Sequence, residues 1–186
     1  MRRVLYRVAA SLDGYIAGPR GEVDWIVHDP AVDFANVYEQ VDTVLLGRRT
    51  YELTRQPGAP PWPQDWQIYV FSRTLRPEEH PRVTVVGVEA GPRVAALRAA
   101  PGRDIWLFGG GSLFRSLLGA TQVDLVEVVL VPVLLGGGIP LLERGAPLTP
   151  LTLEAVERYP SGLLRLRYRV PATAAVSTSR SASRPD

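Results

Sequence analysis

The stretch Ile105-Trp106-Leu107-Phe108-Gly109-Gly110-Gly111-Ser112-Leu113-Phe114 decides the fold. An apolar run from Ile105 to Phe108 reads as a buried strand. It enters a turn of glycines without side chains, and Ser112 to Leu118 follows at once as a helix. Strand, tight turn and helix form the repeating unit of an α/β sheet. The same turn has a chemical use. Glycines let an anion approach the backbone, and a helix N-terminus presents unpaired N–H groups at the positive end of its dipole. A pyrophosphate suits it, although the run is not the G-x-G-x-x-G fingerprint and serves equally as a plain packing turn.

Moving outward, the pattern recurs. Thr43 to Leu46 reads as a strand ended by Gly47, and Arg48 to Arg55 as a short helix. Two arginines at a helix N-terminus oppose the dipole, which favours acids there, so Arg48 and Arg49 are either solvated or wait for an anionic guest. Gln67 to Phe71 is a strand followed by Ser72-Arg73-Thr74. If these strands lie parallel, their C-terminal ends share one edge, where open α/β sheets bind ligands.

The remaining elements are a strand over Val4 to Ala10 with Arg7 inside it and a loop over Ser11 to Gly21. A helix opens at Asp29-Pro30 and carries Ala31, Phe34, Ala35 and Tyr38 on one stripe. Further strands fall at 82–88 and 123–131, a helix at 92–100, and a final strand pair at 151–158 and 163–170. Gly136-Gly137-Gly138 reads as a loop. The last strand alternates Leu164, Leu166, Tyr168 and Val170 with Arg165, Arg167 and Arg169, so the arginines read as a wet face opposite a core face. Helices alternate with strands to residue 120, then strands follow strands. The expectation is an α/β domain over 1–170 with a mostly parallel central sheet, an antiparallel C-terminal edge and flanking helices. Residues 171–186, rich in Pro, Ala, Ser, Thr and Arg, are expected to form a disordered tail.

Composition removes several chemistries. The chain of 186 residues has no cysteine and only two histidines, His28 and His80, which argues against thiolate metal sites, a cysteine nucleophile and multi-histidine metal centres. Every one of the 21 basic residues is arginine, so a Walker lysine and Schiff-base chemistry are excluded. A net charge of +2 is too small to argue for nucleic acid. No apolar segment is long enough for a secretory or membrane-spanning sequence, and a cytoplasmic protein is expected. An organic cofactor is the expected route to chemistry.

Asp13 follows the first strand in Ser11-Leu12-Asp13-Gly14. It either hydrogen-bonds its own turn or rides on a loop over a substrate. Trp25 is a core or lid aromatic, His28 a surface residue before the helix.

Ala9-Ala10-Ser11-Leu12-Asp13-Gly14, Gly21-Glu22-Val23-Asp24-Trp25, Leu46-Gly47-Arg48-Arg49-Thr50-Tyr51-Glu52, Phe71-Ser72-Arg73-Thr74 and Gly109-Gly110-Gly111-Ser112-Leu113, in this order, resemble the dihydrofolate-reductase-like superfamily. The nearer likeness is to the C-terminal reductase domain of the bacterial bifunctional riboflavin-biosynthesis deaminase–reductase, in a stand-alone form. The resemblance implies NADPH as cofactor. Ala9, Ile16 and Ala17 would line the nicotinamide, Gly47, Arg48, Arg49 and Thr50 would hold the adenosine phosphates with Ser72 and Arg73 nearby, and Gly109, Gly110, Gly111, Ser112 and Leu113 would cradle the pyrophosphate. The implied reaction is hydride transfer to a small heterocyclic or ribosylamino-pyrimidine substrate, with Asp13, Trp25 and Asp33 as the candidate catalytic residues. The chain departs from that family where substrate is read. Gly109 and Thr54 stand where the riboflavin-pathway domain has acids, and Ala31, flanked by Asp29 and Asp33, stands where dihydrofolate reductase has its carboxylate. Dihydrofolate reduction and a non-catalytic NADPH-binding dimer are the alternatives. A homodimer is expected because the strand 123–131 is apolar at nearly every position past Glu127, with no following helix to cover it.

Overall fold

Strand β1 (Val4–Ser11) lies near the middle of the sheet, because it is apolar on both faces and only an interior strand can bury both. It pairs in parallel with β6 (Asp104–Gly109) on one side and β7 (Leu125–Val131) on the other. Beyond β6, the strands β3 (Val41–Gly47), β4 (Gln67–Phe71) and β5 (Thr84–Val86) continue in parallel. Beyond β7, β10 (Leu164–Arg169) and then β9 (Thr152–Arg158) add antiparallel. The eight-stranded order is β5-β4-β3-β6-β1-β7-β10-β9. The fold is thus the mostly parallel sheet with an antiparallel C-terminal edge that the sequence predicts. This is a computed structural model that describes residues 1–172; the expected tail lies, from residue 173 onward, outside the described residues.

Helices α3 (Ala90–Ala99) and α4 (Gly111–Gly119) bury one face of the sheet, where Tyr6, Leu107, Val126 and Val128 meet Leu97, Phe114 and Leu117. The Tyr6 and Phe114 rings stack at 3.8 Å between centroids. The opposite face carries a second core of Val44, Leu46, Ile68, Val70 and Trp106 with Tyr51 of α2 (Arg48–Leu53), Val37 of α1 (Phe34–Gln40), Trp62 and Trp66.

Four expectations change. Helix α1 begins at Asp33, not Asp29: the Asp33 carboxylate caps it by accepting from the Asn36 amide at 3.0 Å. Asp29 is committed elsewhere, accepting from the amides of Ala31 at 2.8 Å and Ser161 at 3.2 Å. A small second sheet of β2 (Tyr15–Ala17) and β8 (Ile139–Pro140) forms where loops were expected, too short to show periodicity. Strand β7 is not the exposed surface: it sits between β1 and β10 with α4 over one face, and the edge is β9, exposed along its whole length. The arginines of β10 are only in part a solvated face: Arg169 is exposed, with Glu154 3.2 Å away, whereas Arg165, bound by Glu157, and Arg167, 3.5 Å from Glu154, are half-buried against the sheet.

Candidate functional site

The parallel strands deliver their C-terminal ends to one edge, and there a cavity of about 1760 Å³ opens. That exceeds the roughly 300–1,000 Å³ of a single small-molecule pocket. It holds room for two ligands side by side.

At one end, β6 runs through Gly109 into α4. Gly109 sits at φ +153, a conformation that only glycine adopts without strain, and the Gly109–Gly110 peptide is cis. A Cβ on Gly111 would lie 2.7 Å from the Pro140 carbonyl oxygen, so β8 packs directly on the helix start. No side chain caps α4, whose first amides stay available at the positive end of its dipole. Across from it, Gly47 ends β3 and α2 opens with Arg48 and Arg49, both exposed. Arg48 reaches Glu52 at 2.8 Å, one turn along its own helix. Ser72 turns the chain after β4: its hydroxyl accepts from the amides of Thr74 at 3.2 Å and Leu75 at 3.1 Å, which sets Arg73 on the surface.

All the residues expected at the cofactor line this one cavity: Ala9, Ile16, Ala17, Gly47, Arg48, Arg49, Thr50, Ser72, Arg73, Gly109, Gly110, Gly111, Ser112 and Leu113. They come from β1, β2, the β3–α2 junction, the end of β4 and the β6–α4 turn, which the sheet order places along one rim. An uncapped helix start, a backbone free of side chains and free arginine charge fit a dinucleotide phosphate chain.

The residues expected to do the chemistry are placed elsewhere, off the cavity wall. The Asp13 carboxylate accepts from the Ser11 hydroxyl at 2.6 Å and from the amides of Leu135 at 3.1 Å and Gly136 at 2.7 Å. The Ser11 bond first, then those amides, holds it below the usual carboxylate range, so it is a fastener and a poor acid. Trp25 donates to the Glu22 carbonyl at 3.0 Å, and Asp33 is the exposed cap of α1.

Trp106, Phe108, His28, Asp29, Arg7, Glu127 and Arg165 also line the cavity, although the sequence assigns none of them a role in a site. Arg7 and Glu127 are opposite residues in the β1–β7 register, 7% and 6% exposed, with Arg7 Nε 3.2 Å from Glu127 Oε1. The signal was present: one charge of each sign inside two otherwise apolar strands.

Residues 2–165 match the RibD C-terminal domain across almost the whole described chain. The protein belongs to the RibD C-terminal domain family. Within reach of this RibD-type domain is YyaP of Bacillus subtilis strain 168, 32% identical over 178 residues, covering 90% of this chain and 94% of that one. Among solved structures, a putative riboflavin biosynthesis protein from Shewanella sp. PV-4 superposes with a TM-score of 0.79 at 26% identity, covering 92% of this chain and 99% of its own. Dihydrofolate reductase from Enterococcus faecalis, solved with NADP(H), shares the fold of this RibD-type domain: TM-score 0.63 at 19% identity, covering 90% of this chain and 96% of that one.

Proposed function

We propose that the protein is an NADPH-dependent reductase of the riboflavin-biosynthesis type, passing hydride to a C=N or C=O carbon of a small heterocyclic or ribosylamino-pyrimidine substrate in the cytoplasm. The observation that carries this reading is the convergence of every expected cofactor contact on one cavity with space left beside it. The names of two structural relatives, a putative riboflavin biosynthesis protein and a dihydrofolate reductase complexed with NADP(H), support it. Bound NADPH would supply the hydride. The α4 N-terminus and the glycine turn would hold the pyrophosphate, and Arg48, Arg49 and Arg73 the adenosine phosphates. Ala9, Ile16 and Ala17, small and apolar, would let the nicotinamide lie flat and keep water from it.

The dihydrofolate-reductase reading needs a carboxylate entering the cavity from the first helix. Asp33 caps that helix outside the wall and both Asp29 oxygens already accept amides, so nothing in the site favours it. Homodimerisation is proposed on a different strand from the one the sequence singled out. Leu153 (52% exposed) and Val156 (49%) of β9 pair with Tyr168 and Leu166 of β10, leaving an apolar strip that a second copy would cover.

The test is absorbance-monitored NADPH oxidation with 5-amino-6-ribosylaminopyrimidine phosphate and related heterocycles. Saturable oxidation is expected. Tight NADPH binding with no oxidation by any of them would leave the non-catalytic NADPH-binding dimer as the function.

A further inference from the structure

Among the described residues, Arg7 has the most buried side-chain nitrogens without a hydrogen-bond partner. Its Nη2 donates to Gln40 Oε1 at 2.7 Å, but Nη1 is buried without a hydrogen-bond partner, and Nε is close to Glu127 without the alignment of a hydrogen bond. A buried guanidinium with unused donors is costly, and native structures normally satisfy such groups with protein, water or ligand. Burial pulls the Arg7 pKa down, Glu127 pushes it back up, and Arg167 and Arg165 lower it further. Glu127 stands beside it, a buried carboxylate on the cavity wall with one oxygen 3.2 Å from Arg7 Nε.

Their location gives this a meaning. Arg7 and Ala9 stand two residues apart on one face of β1, as do Glu127 and Val129 on β7, and all four line the cavity. Two strand residues span about 6.6–6.8 Å, the scale of one ring. A substrate ring placed against a nicotinamide at Ala9 therefore extends onto the Arg7–Glu127 pair. The other acids of the cavity wall are less suited: each Asp29 oxygen already accepts an amide, Glu143 lies 3.9 Å from Arg115, and Glu89 is exposed. Positions Gly109 and Thr54, also on the wall, carry no charge at all.

We infer that Arg7 and Glu127 are the specificity-determining pair of this chain. They read a substrate edge on which an acceptor oxygen and an N–H stand side by side: the oxygen accepts from Arg7 and the N–H donates to Glu127. The inference rests on the reductase reading only in calling the ligand the substrate; the pair's recognition of the edge stands or falls separately.

The experiment uses uracil, which carries the edge, and 1,3-dimethyluracil, which keeps the carbonyls but has no N–H. Dissociation constants are measured by ligand-observed NMR on the full chain, with and without NADPH, for the native protein, Arg7→Lys and Glu127→Gln. Native protein is expected to bind uracil about tenfold or more tightly than the dimethyl compound, the effect of one hydrogen bond to a charged group. Arg7→Lys keeps the charge beside Glu127 but loses the fork, and uracil affinity should fall about tenfold with NADPH affinity unchanged. Glu127→Gln should narrow the uracil to dimethyluracil ratio. Equal binding of the two probes by native protein, no uracil binding at millimolar concentration, or an unaltered uracil constant in Arg7→Lys would overturn the pair's role. Failure of NADPH to bind native protein would instead overturn the reductase reading, with the uracil comparison on the free protein still deciding for or against Arg7 and Glu127.

Discussion

A side chain at Gly110 meets the Thr50 hydroxyl at 3.3 Å from its first carbon, in the gap between the β3 and β6 turns. Gly110→Val would fill the space where a phosphate has to approach the backbone. The fold is expected to survive, because Gly110 has an extended φ of −95, while NADPH affinity falls about a hundredfold, the loss of two charge-assisted hydrogen bonds. Normal NADPH titration of a variant folded by circular dichroism would reduce the turn to a packing feature. Under the proposed reading, the arginines would act at the other end of the cofactor. Arg49 and Arg73 are exposed on the wall, and Arg48 has only a surface pair with Glu52, worth little to break. One arginine–phosphate contact stabilises by about 1.5–3 kcal/mol, so NADPH should bind at least about tenfold more tightly than NADH. Equal constants by fluorescence titration would contradict this.

Helix α4 links the core to the site. Leu117 is fully buried between the sheet and α3, and its helix begins at the glycine turn. Leu117→Ala should destabilise the protein by about 2–5 kcal/mol. Urea denaturation checks it, and a change under 1 kcal/mol would mean the site collapses around the cavity. The β2–β8 arch is held by its own backbone bonds and by one carboxylate. Asp13 titrates lower in the folded chain than in the unfolded one, through Ser11 and the amides of Leu135 and Gly136. Its stabilisation is fully present above the unfolded value of about 3.9 and is lost as pH falls through the lower folded value. Thermal melts from pH 7 downward should show Asp13→Asn less stable than the native protein near neutrality, with the gap closing below about pH 4. A gap constant with pH would show that the carboxylate charge is not what holds the arch.

For the molecule as a whole, the edge strand raises the question of a partner. An exposed edge with unpaired backbone and apolar side chains invites pairing or covering. Here β9 is exposed throughout, and Leu153 and Val156 stand beside the half-buried Leu166 and Tyr168. Sedimentation equilibrium at micromolar concentration is expected to give twice the chain mass, and Leu153→Glu with Val156→Glu to give a monomer that still binds NADPH. A concentration-independent monomer of the native chain would refute the dimer.

The sequence by itself determined the parallel half of the sheet and the glycine-ended strands at the proposed cofactor end of the cavity. Apolar runs ending in Gly47 and Gly109 each carry their own signal, because strand, turn and helix start are local and contiguous. The antiparallel pair around Pro160-Ser161-Gly162 was legible for the same reason. Only the tertiary structure decided which charges meet. Arg7 and Glu127 are 120 residues apart in the chain and opposite each other in one register, a relation that exists only once β7 docks beside β1. It also decided that Asp13 is a fastener, since two of its three donors come from Leu135 and Gly136. It made Asp33 the cap of α1, because Ser161 arrives from the far end of the chain to occupy Asp29. A side chain's role depends on its partners, and long-range partners are set by the packing of the sheet rather than by the spacing of residues along it.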